Sequence, residues 1–288
     1  MPGTRKSDGR PLEWRVLVDS ADDGPHNMAV DEMLLEQADE AGRAGTATVR
    51  LYGWSPPTLT LGRNQPPGEG YDIDYLKEHG IDLVRRPTGG LSVLHDDERT
   101  FSVAGSLECP PFDDGVVATY RRLAIALKGA MVRLGIQAED GGAGQNVNPR
   151  AAVSPVCFEG RTHHEIVAEE KKLIGVAQVR RRRAFLQHGS IPLSFDRQRL
   201  AAAVGRSDPI EGCVGIRELN PAASADDLDL ALIEAFEVHF GVRLRKDTLR
   251  PQELQRVEEL RAWKYDSTSW TLHGRVGRRE RHWGPTLT

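Results

Sequence analysis

The chain has 288 residues, of which 39% are hydrophobic, and a net charge of -4, so it can bury a sizeable core and has no overall charge that would attract nucleic acid. Its three cysteines, Cys109, Cys157 and Cys213, include no CxxC pair, which argues against a disulfide framework and a tetrahedral zinc site. Residues 1–11 are polar and no window holds about 18 consecutive apolar residues, so neither a secretory signal nor a membrane span is predicted. We therefore expect a cytoplasmic protein with reduced thiols.

The N-terminal part of the chain predicts a strand followed by an amphipathic helix. The strand covers residues 14–18, and residues 25–35 place apolar side chains at helical spacing. Asn27 is positioned to cap this helix. Asp31 and Glu32 would occupy its first turns, where the positive end of the helix dipole stabilises acidic side chains.

Short strands follow this helix. Residues 49–54 and 58–62 predict two strands joined as a hairpin, because the prolines of the turn Ser55-Pro56-Pro57 cannot continue a central ladder. Residues 71–80 then predict a helix with a glycine stop, and residues 81–86 predict another strand.

A glycine pair separates the next two predicted strands. Within residues 85–96, Gly89 and Gly90 let the backbone turn sharply, and consecutive N–H groups in such a turn can receive an oxyanion or a phosphate. From local sequence alone, an ordinary hairpin turn is the more common role of a glycine pair. Beyond it, residues 101–107 predict a strand and residues 119–134 a helix.

One cysteine and one lysine stand at the centre of the chain. Residues 139–156 are rich in Gly, Asn and Pro and predict a loop that delivers Cys157, and Lys172 begins the middle strand of a predicted antiparallel meander. The three strands of that meander are residues 164–167, 173–179 and 184–193. A thiol beside a fixed positive charge is favoured as the nucleophilic thiolate, so this pair points to acyl transfer. A buried structural cysteine stays open as the alternative.

Three polar features nearby have competing interpretations. The His163-His164-Glu165 run is not predicted to bind a metal, because adjacent strand residues point to opposite faces. His188 fits a hydrogen-bonded structural histidine better than a catalytic one. The arginine run 180–183 fits either a solvated turn or a docking patch for an acidic partner.

The C-terminal part of the chain is predicted to be helical. Residues 196–204, 225–240 and 251–263 predict three helices that pack on the sheet or form a small lobe, and Cys213 is assigned no role. The expected boundaries are a disordered N-terminus over residues 1–11, a single domain over 12–270 with a helical C-terminal portion over 194–270, and a frayed tail over 273–288.

A series of motifs resembles the biotin/lipoate protein ligase superfamily. They come in that family's order over most of residues 14–193, with a further likeness near residues 264–270. The motifs are Asn27-Met28-Ala29-Val30-Asp31-Glu32, Trp54-Ser55-Pro56-Pro57, Leu61-Gly62-Arg63-Asn64-Gln65, Arg85-Arg86-Pro87-Thr88-Gly89-Gly90, His95-Asp96, Lys172-Leu173-Ile174-Gly175-Val176-Ala177-Gln178 and Leu186-Gln187-His188-Gly189-Ser190. With Pro155-Val156-Cys157-Phe158 ahead of the lysine motif, the chain is most similar to the cysteine-dependent octanoyltransferases of Gram-positive bacteria.

The resemblance implies a fold and a set of site residues. The fold would be α+β, with a mixed, mostly antiparallel β-sheet and flanking helices. Cys157 would be the acyl-thioester nucleophile and Lys172 the cation that favours its thiolate. The implied substrate-binding residues are Arg86, Thr88, Gly89, Gly90 and His95 around the acyl group, and Gly175, Val176 and Ala177 as backbone donors to the oxyanion. The chain departs from the family at Leu91, where Arg or Gly is usual, and at Val176, where Ser is usual.

The implied activity moves an octanoyl group from octanoyl-acyl carrier protein to Cys157 and then to a lysine. That lysine would belong to a lipoyl domain of a 2-oxoacid dehydrogenase or to the glycine-cleavage H protein. Because a thioester keeps the acyl group activated, neither ATP nor another cofactor is expected, and neither nucleic acid nor a membrane is an expected partner. Two alternatives stay open, an ATP-dependent lipoate-protein ligase and a non-catalytic acyl-binding relative.

Overall fold

The computed structural model describes residues 11–42, 47–141 and 165–276. Cys157 and the pair His163-His164 therefore lie outside the described residues, as do most of the predicted disordered N-terminus and most of the predicted frayed tail. The described part confirms the α+β prediction, with a mixed and mostly antiparallel sheet between layers of helices.

Eleven strands form two sheets in the described part of the chain. The large sheet contains β1 (Leu12–Asp22), β2 (Thr48–Trp54), β6 (Glu98–Ser106), β7 (Glu139–Asp140), β8 (Ile166–Ala168), β9 (Lys171–Arg180), β10 (Ala184–Pro192) and β11 (Val242–Asp247), in the order β11-β1-β2-β6-β10-β9-β8-β7. The strand β1 runs parallel to both of its neighbours, and the remaining pairs are antiparallel. The small sheet contains β3 (Thr58–Leu61), β4 (Asp82–Arg85) and β5 (Val93–His95), in the order β4-β3-β5.

Helices cover both faces of the large sheet. They are α1 (Gly24–Ala41), α2 (Ile73–Glu78), α3 (Val116–Arg133), α4 (Arg197–Ala203), α5 (Ile216–Leu219), α6 (Ala225–Phe240), α7 (Pro251–Leu260) and α8 (Thr268–His273), with a π-helical turn, Arg261–Tyr265, between the last two. One core lies between the sheet and the helices α3 and α6, and a second lies between the sheet and α1 with α7. No helix in the described ranges has the length and apolarity needed to cross a membrane.

Side-chain alternation gives the three central strands one apolar and one polar face. Phe101 and Phe185 point into the core beneath α3 and α6, where full burial stabilises the fold by about 1.5–3 kcal/mol for each ring. On the opposite face, two rows of polar side chains cross strands β2, β6 and β10, because directly paired residues share a face. The rows are Arg50, Ser102 and His188, and Tyr52, Thr100 and Ser190.

The start of α1 differs from the prediction. The cap is Asp23, whose carboxylate accepts from the backbone N–H of His26 at 2.7 Å, so the prediction of Asn27 as cap was wrong. The Asn27 amide instead donates to the carbonyl oxygens of Asp22 and Gly53, both at 3.0 Å, which ties the helix to the end of β2. Asp31 and Glu32 lie beyond the first turn of the helix and are buried. Asp31 accepts from Arg50 of the sheet and Glu32 accepts from Lys264 of the C-terminal segment, so side chains and not the helix dipole stabilise their charges.

Both predicted hairpins in this region were wrong. The turn at residues 55–57 carries the chain out of the large sheet, so β2 and β3 belong to different sheets. The Gly89-Gly90 segment also joins no hairpin, because β4 and β5 lie on opposite sides of β3. The turn residues were recognised correctly, but turn chemistry does not specify which strand pairs with which.

The meander and the long C-terminal helices agree with the sequence. Strands β8, β9 and β10 form the predicted antiparallel series, and α6 has the predicted bounds. The predicted helix over 251–263 becomes π-helical after Leu260. The portion 194–270 is not entirely helical, because β11 adds a parallel edge strand beside β1 that the sequence analysis did not predict.

A buried arginine fastens the C-terminal helix to the small sheet. The guanidinium of Arg85 donates to the carbonyl oxygens of Trp270, Thr271 and Leu272 at the end of α8, and to that of Gly62 at 2.6 Å. In return, the indole N–H of Trp270 donates to the Arg85 carbonyl at 2.8 Å. These hydrogen bonds satisfy carbonyl groups at the end of the helix that have no partner within the helix.

Candidate functional site

A cavity of about 440 Å³, including its open mouth, lies between the two sheets. Five predicted site residues line it: Arg86, His95, Gly175, Val176 and Ala177. Its other walls include the largely apolar side chains of Met28, Trp54 and Val93, together with polar atoms from Thr60, Thr100, His188 and Ser190.

The buried carboxylate of Asp31 organises one side of the cavity. It accepts hydrogen bonds from His188 Nδ1 at 2.9 Å, Tyr52 Oη at 3.0 Å and Ser102 Oγ at 2.8 Å, and it lies 3.3 Å from a guanidinium nitrogen of Arg50. Burial alone would raise the pKa of Asp31, but the bond from His188 and the charge of Arg50 outweigh it and hold the pKa below its ordinary value. The group is therefore an anion at neutral pH.

His188 connects Asp31 to the glycine-pair loop. Because a carboxylate only accepts, Nδ1 carries the ring hydrogen, and Nε2 of the neutral ring accepts from Thr88 Oγ1 at 2.6 Å. Burial lowers the pKa of His188, against the opposing effect of Asp31, so the neutral ring is favoured. These two bonds agree with the structural role predicted for His188, which also lines the cavity.

A second buried carboxylate, Glu98, holds three further side chains that line the cavity. It accepts from His95 Nδ1 at 2.9 Å and from the hydroxyls of Thr100 and Ser190. Burial alone would raise the pKa of Glu98, but its contacts with His95, Ser190 and Thr100 lower it. His95 stacks on Trp54 with ring centroids 4.0 Å apart. The ring of His95 therefore presents a fixed surface to the cavity.

Arg86 shapes the loop that carries the remaining predicted residues. Its guanidinium donates to the carbonyl oxygens of Gly89 and Leu91, both at 2.8 Å, and to that of Thr60 at 3.2 Å. Gly90 has a φ of +94°, which glycine tolerates best, and a Cβ there would lie 2.7 Å from Arg86 Nη2. Beside Gly89, by contrast, a Cβ would meet no atom within 4 Å. Gly89 therefore leaves open space next to the backbone.

The predicted catalytic lysine is buried near the start of β9, the middle strand of the meander. Lys172 is 4% exposed and its ammonium forms an ion pair with the buried carboxylate of Glu165, whereas Lys171 is exposed. The backbone of Lys172 is also held by two hydrogen bonds to the segment around Cys213, from its N–H to the Gly212 carbonyl at 2.7 Å and to its carbonyl from the Val214 N–H at 3.0 Å. The geometry distinguishes the two lysines, but the position of Cys157 is not described.

Sequence analysis missed both carboxylates of the site. Asp31 was interpreted as a first-turn residue and Glu98 was given no role. The available signal was the alternation of Thr100 with Ser102 and of His188 with Ser190, because hydroxyl and imidazole groups on one face of a central strand require buried partners.

The arginine run 180–183 begins at the last residue of β9 and forms the turn to β10, which agrees with the first of its two interpretations, a turn between strands. Arg181 pairs with Glu32 at 3.0 Å, and Arg183 pairs with Glu108 at 3.0 Å. Arg180 donates to Thr119 Oγ1 at 3.0 Å. These intramolecular contacts weaken the docking interpretation, since the charges already have partners within the chain. Among the described residues, no cluster of three or more His, Cys, Asp or Glu side chains has the arrangement of a metal site.

Comparison with known proteins gives one consistent result. The lipoyl protein ligase A/B catalytic domain matches residues 23–237. Octanoyltransferase LipM of Kyrpidia tusciae is 37% identical over 270 residues, covering 89% of this chain and 97% of the relative, and that of Geobacillus kaustophilus is 34% identical over 277 residues, covering 90% and 98%.

Solved structures give the same fold. A crystal structure of lipoate-protein ligase A bound with ATP matches with a TM-score of 0.78 and 25% identity, covering 91% of this chain and 99% of the other. A putative lipoate protein ligase from T. acidophilum with bound lipoic acid matches with a TM-score of 0.75, 25% identity and the same two coverages.

Proposed function

Because the chain belongs to the lipoyl protein ligase A/B catalytic domain family, we propose that it transfers octanoyl groups through a thioester on Cys157. The chain is an octanoyltransferase of lipoate biosynthesis, similar over most of its length to several LipM enzymes. We further propose that Cys157 is the nucleophile, that octanoyl-acyl carrier protein is the donor, that a lysine of a lipoyl domain or H protein is the acceptor, and that no nucleotide takes part. The observation that carries it is the largely apolar cavity whose edge is formed by the strand that begins with the two lysines.

The proposed first step is attack of the Cys157 thiolate on the carbonyl carbon of octanoyl-acyl carrier protein. A new C–S bond forms, the old one breaks, and the carrier leaves as a thiolate that takes up a proton. Lys172, fixed by Glu165, supplies a positive charge that favours the Cys157 thiolate. The acyl chain occupies the cavity, which Arg86 and His95 line, and the adjoining loop of Thr88, Gly89 and Gly90 is held to it by Arg86 and His188.

The second step releases the acyl group to an amine. The neutral lysine amine of a lipoyl domain or H protein attacks the thioester carbonyl carbon and a C–N bond forms. The C–S bond breaks, Cys157 leaves as its thiolate and the amine gives up one proton to solvent, so an amide forms and no nucleotide is consumed. The backbone N–H groups of Gly175, Val176 and Ala177 are the proposed donors to the oxyanion. Their strand extends past the end of β8, so from Gly175 onward its outer edge faces no other strand in the described part of the chain. Because β9 pairs with β10 on its other side, the N–H groups that point to the outer edge alternate along the strand with those that point to β10.

The ligase alternative requires a carboxylate for a magnesium-bound nucleotide. Magnesium sites commonly use one or two carboxylates plus phosphate oxygens. In the stretch 160–165 the sole carboxylate is Glu165, and it forms a buried ion pair with Lys172. This pairing favours the transferase, because a carboxylate committed to an ammonium is a poor ligand for a second cation.

Two donor systems distinguish the transferase from the ligase. With a lipoyl domain as acceptor, we expect octanoyl-acyl carrier protein to modify the acceptor lysine without nucleotide, and ATP with free octanoate or lipoate to give neither modification nor pyrophosphate. The measurement is the mass of the acceptor in parallel reactions, with a lysine-free acceptor variant as control. Modification only with ATP and free acid, persisting in Cys157→Ala, would show that the enzyme is a ligase.

The glycine pair offers a test of substrate contact. We expect Gly89→Ala to unfold at nearly the wild-type temperature, because its Cβ enters open space, but to raise KM several-fold by occupying space beside the acyl donor. The matched variant Gly90→Ala is expected to lose about 1–2 kcal/mol of unfolding free energy, because the left-handed backbone disfavours a side chain. Thermal unfolding and steady-state kinetics measure the two effects. Wild-type KM in Gly89→Ala would remove this residue from the binding site.

A further inference from the structure

Residues that line the cavity come from four adjacent strands of the large sheet. The row Tyr52, Thr100, Ser190 and Gly175 joins β2, β6, β10 and β9 by direct pairing, and all four residues line the cavity. Three spacings between neighbouring strands amount to about 14 Å. The cavity is therefore a slot with one end at β9 and the other at β2.

The two ends of this slot differ in exposure. Val176 and Ala177 on β9 are half-buried, whereas Tyr52 on β2 and Met28 on α1 are at most 1% exposed. A thioester carbonyl must stay near the surface, because its sulfur is attached to a carrier protein. An acyl chain entering this slot consequently places its carbonyl at β9 and its terminal methyl group towards β2.

One wall of the deep end is fixed in place. The Tyr52 hydroxyl donates to Asp31 at 3.0 Å, and the guanidinium of Arg50 lies 3.9 Å from the centre of the Tyr52 ring. Moving this ring would break a buried hydrogen bond and the cation–π contact with Arg50, which is costly.

The other wall is Met28, an unbranched apolar side chain with three rotatable bonds. Its backbone is held at the end of β2 by the neighbouring Asn27, whose amide donates to the Gly53 carbonyl at 3.0 Å and whose carbonyl accepts from Arg50 at 3.1 Å. The size of the residue at this position, unlike that of Tyr52, can change without loss of a polar contact.

We propose that Met28 sets the longest acyl chain that the enzyme accepts, by closing the deep end of the slot. This inference rests on the proposed octanoyl transfer and adds a specificity-determining residue to it. Shortening Met28 opens room for additional methylene groups, and enlarging it removes room.

The test compares acyl-carrier proteins with six-, eight-, ten- and twelve-carbon chains as donors to one lipoyl domain. We expect Met28→Ala to raise the ratio of kcat/KM for decanoyl over octanoyl about tenfold, the effect of burying two more methylene groups. Met28→Phe is expected to lower this ratio and to favour hexanoyl. If Met28→Ala does not yield folded protein, Met28→Val must shift the ratio in the same direction by a smaller factor.

Met33→Ala is the matched control. Met33 belongs to the same helix, is also 1% exposed, and does not line the cavity. It should lose stability without changing the chain-length ratio. An unchanged ratio in Met28→Ala, or an equal change in Met33→Ala, would overturn the inference.

A separate readout distinguishes this inference from the proposed function. Wild-type enzyme that transfers none of the four acyl groups would contradict the proposed function itself. Calorimetry then measures the affinities of the wild-type enzyme and Met28→Ala for hexanoate, octanoate and decanoate. Their ratios give the chain-length selectivity of the deep end without turnover. Equal selectivity of both proteins among the three acids would also overturn the assignment of Met28.

Discussion

Replacing Cys157 with alanine is expected to lower octanoyl transfer by about 10³-fold or more, because the reaction loses the atom that would carry the acyl group. Incubating wild-type enzyme with octanoyl-acyl carrier protein should add the mass of one octanoyl group, and Cys157→Ala should show no adduct. Cys157→Ser should also be slow, since a hydroxyl is much harder to deprotonate than a thiol. Intact-mass spectrometry and transfer rates measure these outcomes.

The other two thiols provide the controls for this experiment. Cys109 is half-buried and Cys213 is fully buried in the core beneath the small sheet. Cys109→Ala and Cys213→Ala should both keep the adduct, although the second may be assayed only after its folding is verified by thermal unfolding. An adduct that survives in Cys157→Ala and disappears in Cys109→Ala would show that Cys109, not Cys157, is the nucleophile.

Lys172→Met is expected to shift alkylation of Cys157 towards higher pH and to lower kcat by about 10²-fold or more. The physical reason is that removing a nearby positive charge disfavours the thiolate, which is the form that iodoacetamide attacks. The adjacent Lys171→Met is the matched control, because this side chain is exposed while that of Lys172 is 4% exposed. A pH profile of alkylation measures the shift, and steady-state kinetics measures the rate.

A charge-balanced double variant tests whether the effect of Lys172→Met comes only from lost stability. Lys172→Met alone leaves the buried Glu165 carboxylate without the Lys172 charge, and breaking a buried ion pair commonly destabilises a protein by about 3–5 kcal/mol. The double variant Lys172→Met with Glu165→Gln removes both charges and should recover stability without recovering the alkylation profile. A profile that moves in Lys171→Met and stays unchanged in Lys172→Met would reverse the assignment.

Periodicity predicted the elements whose environment is uniform along their length. The helix Ala225–Phe240 has apolar residues at the spacing of a single buried face, so local pattern and tertiary packing agree, and β10 is buried along its whole length. The strand Val242–Asp247 was not predicted, although Val242 and Leu244 alternate with exposed arginines, because only two apolar residues carry this alternation. Its exposed charged side chains lie at the edge of the sheet, where they discourage pairing with another chain.

The site residues divide in a similar way. Arg86, His95 and Gly175–Ala177 were predicted because they belong to motifs that resemble a family, and the structure brings them together around one cavity. The role of the Asp31 carboxylate was not predicted, because the local sequence indicated only a first-turn residue that the helix dipole favours. Its role depends on Arg50, Ser102 and His188, which lie far away in sequence and meet it only in the folded state.

The contacts of Arg85 with the C-terminal helix have a consequence for how the cavity is assembled. Arg85 and Trp270 are separated by 185 positions, and the hydrogen bonds between them close a loop that includes most of the chain. Bringing such distant segments together costs loop-closure entropy before any contact compensates for it, so native contacts of this kind slow folding. The small sheet that forms one wall of the cavity thus depends on the last helix of the described chain for part of its support. We therefore expect the acyl slot to be completed late in folding.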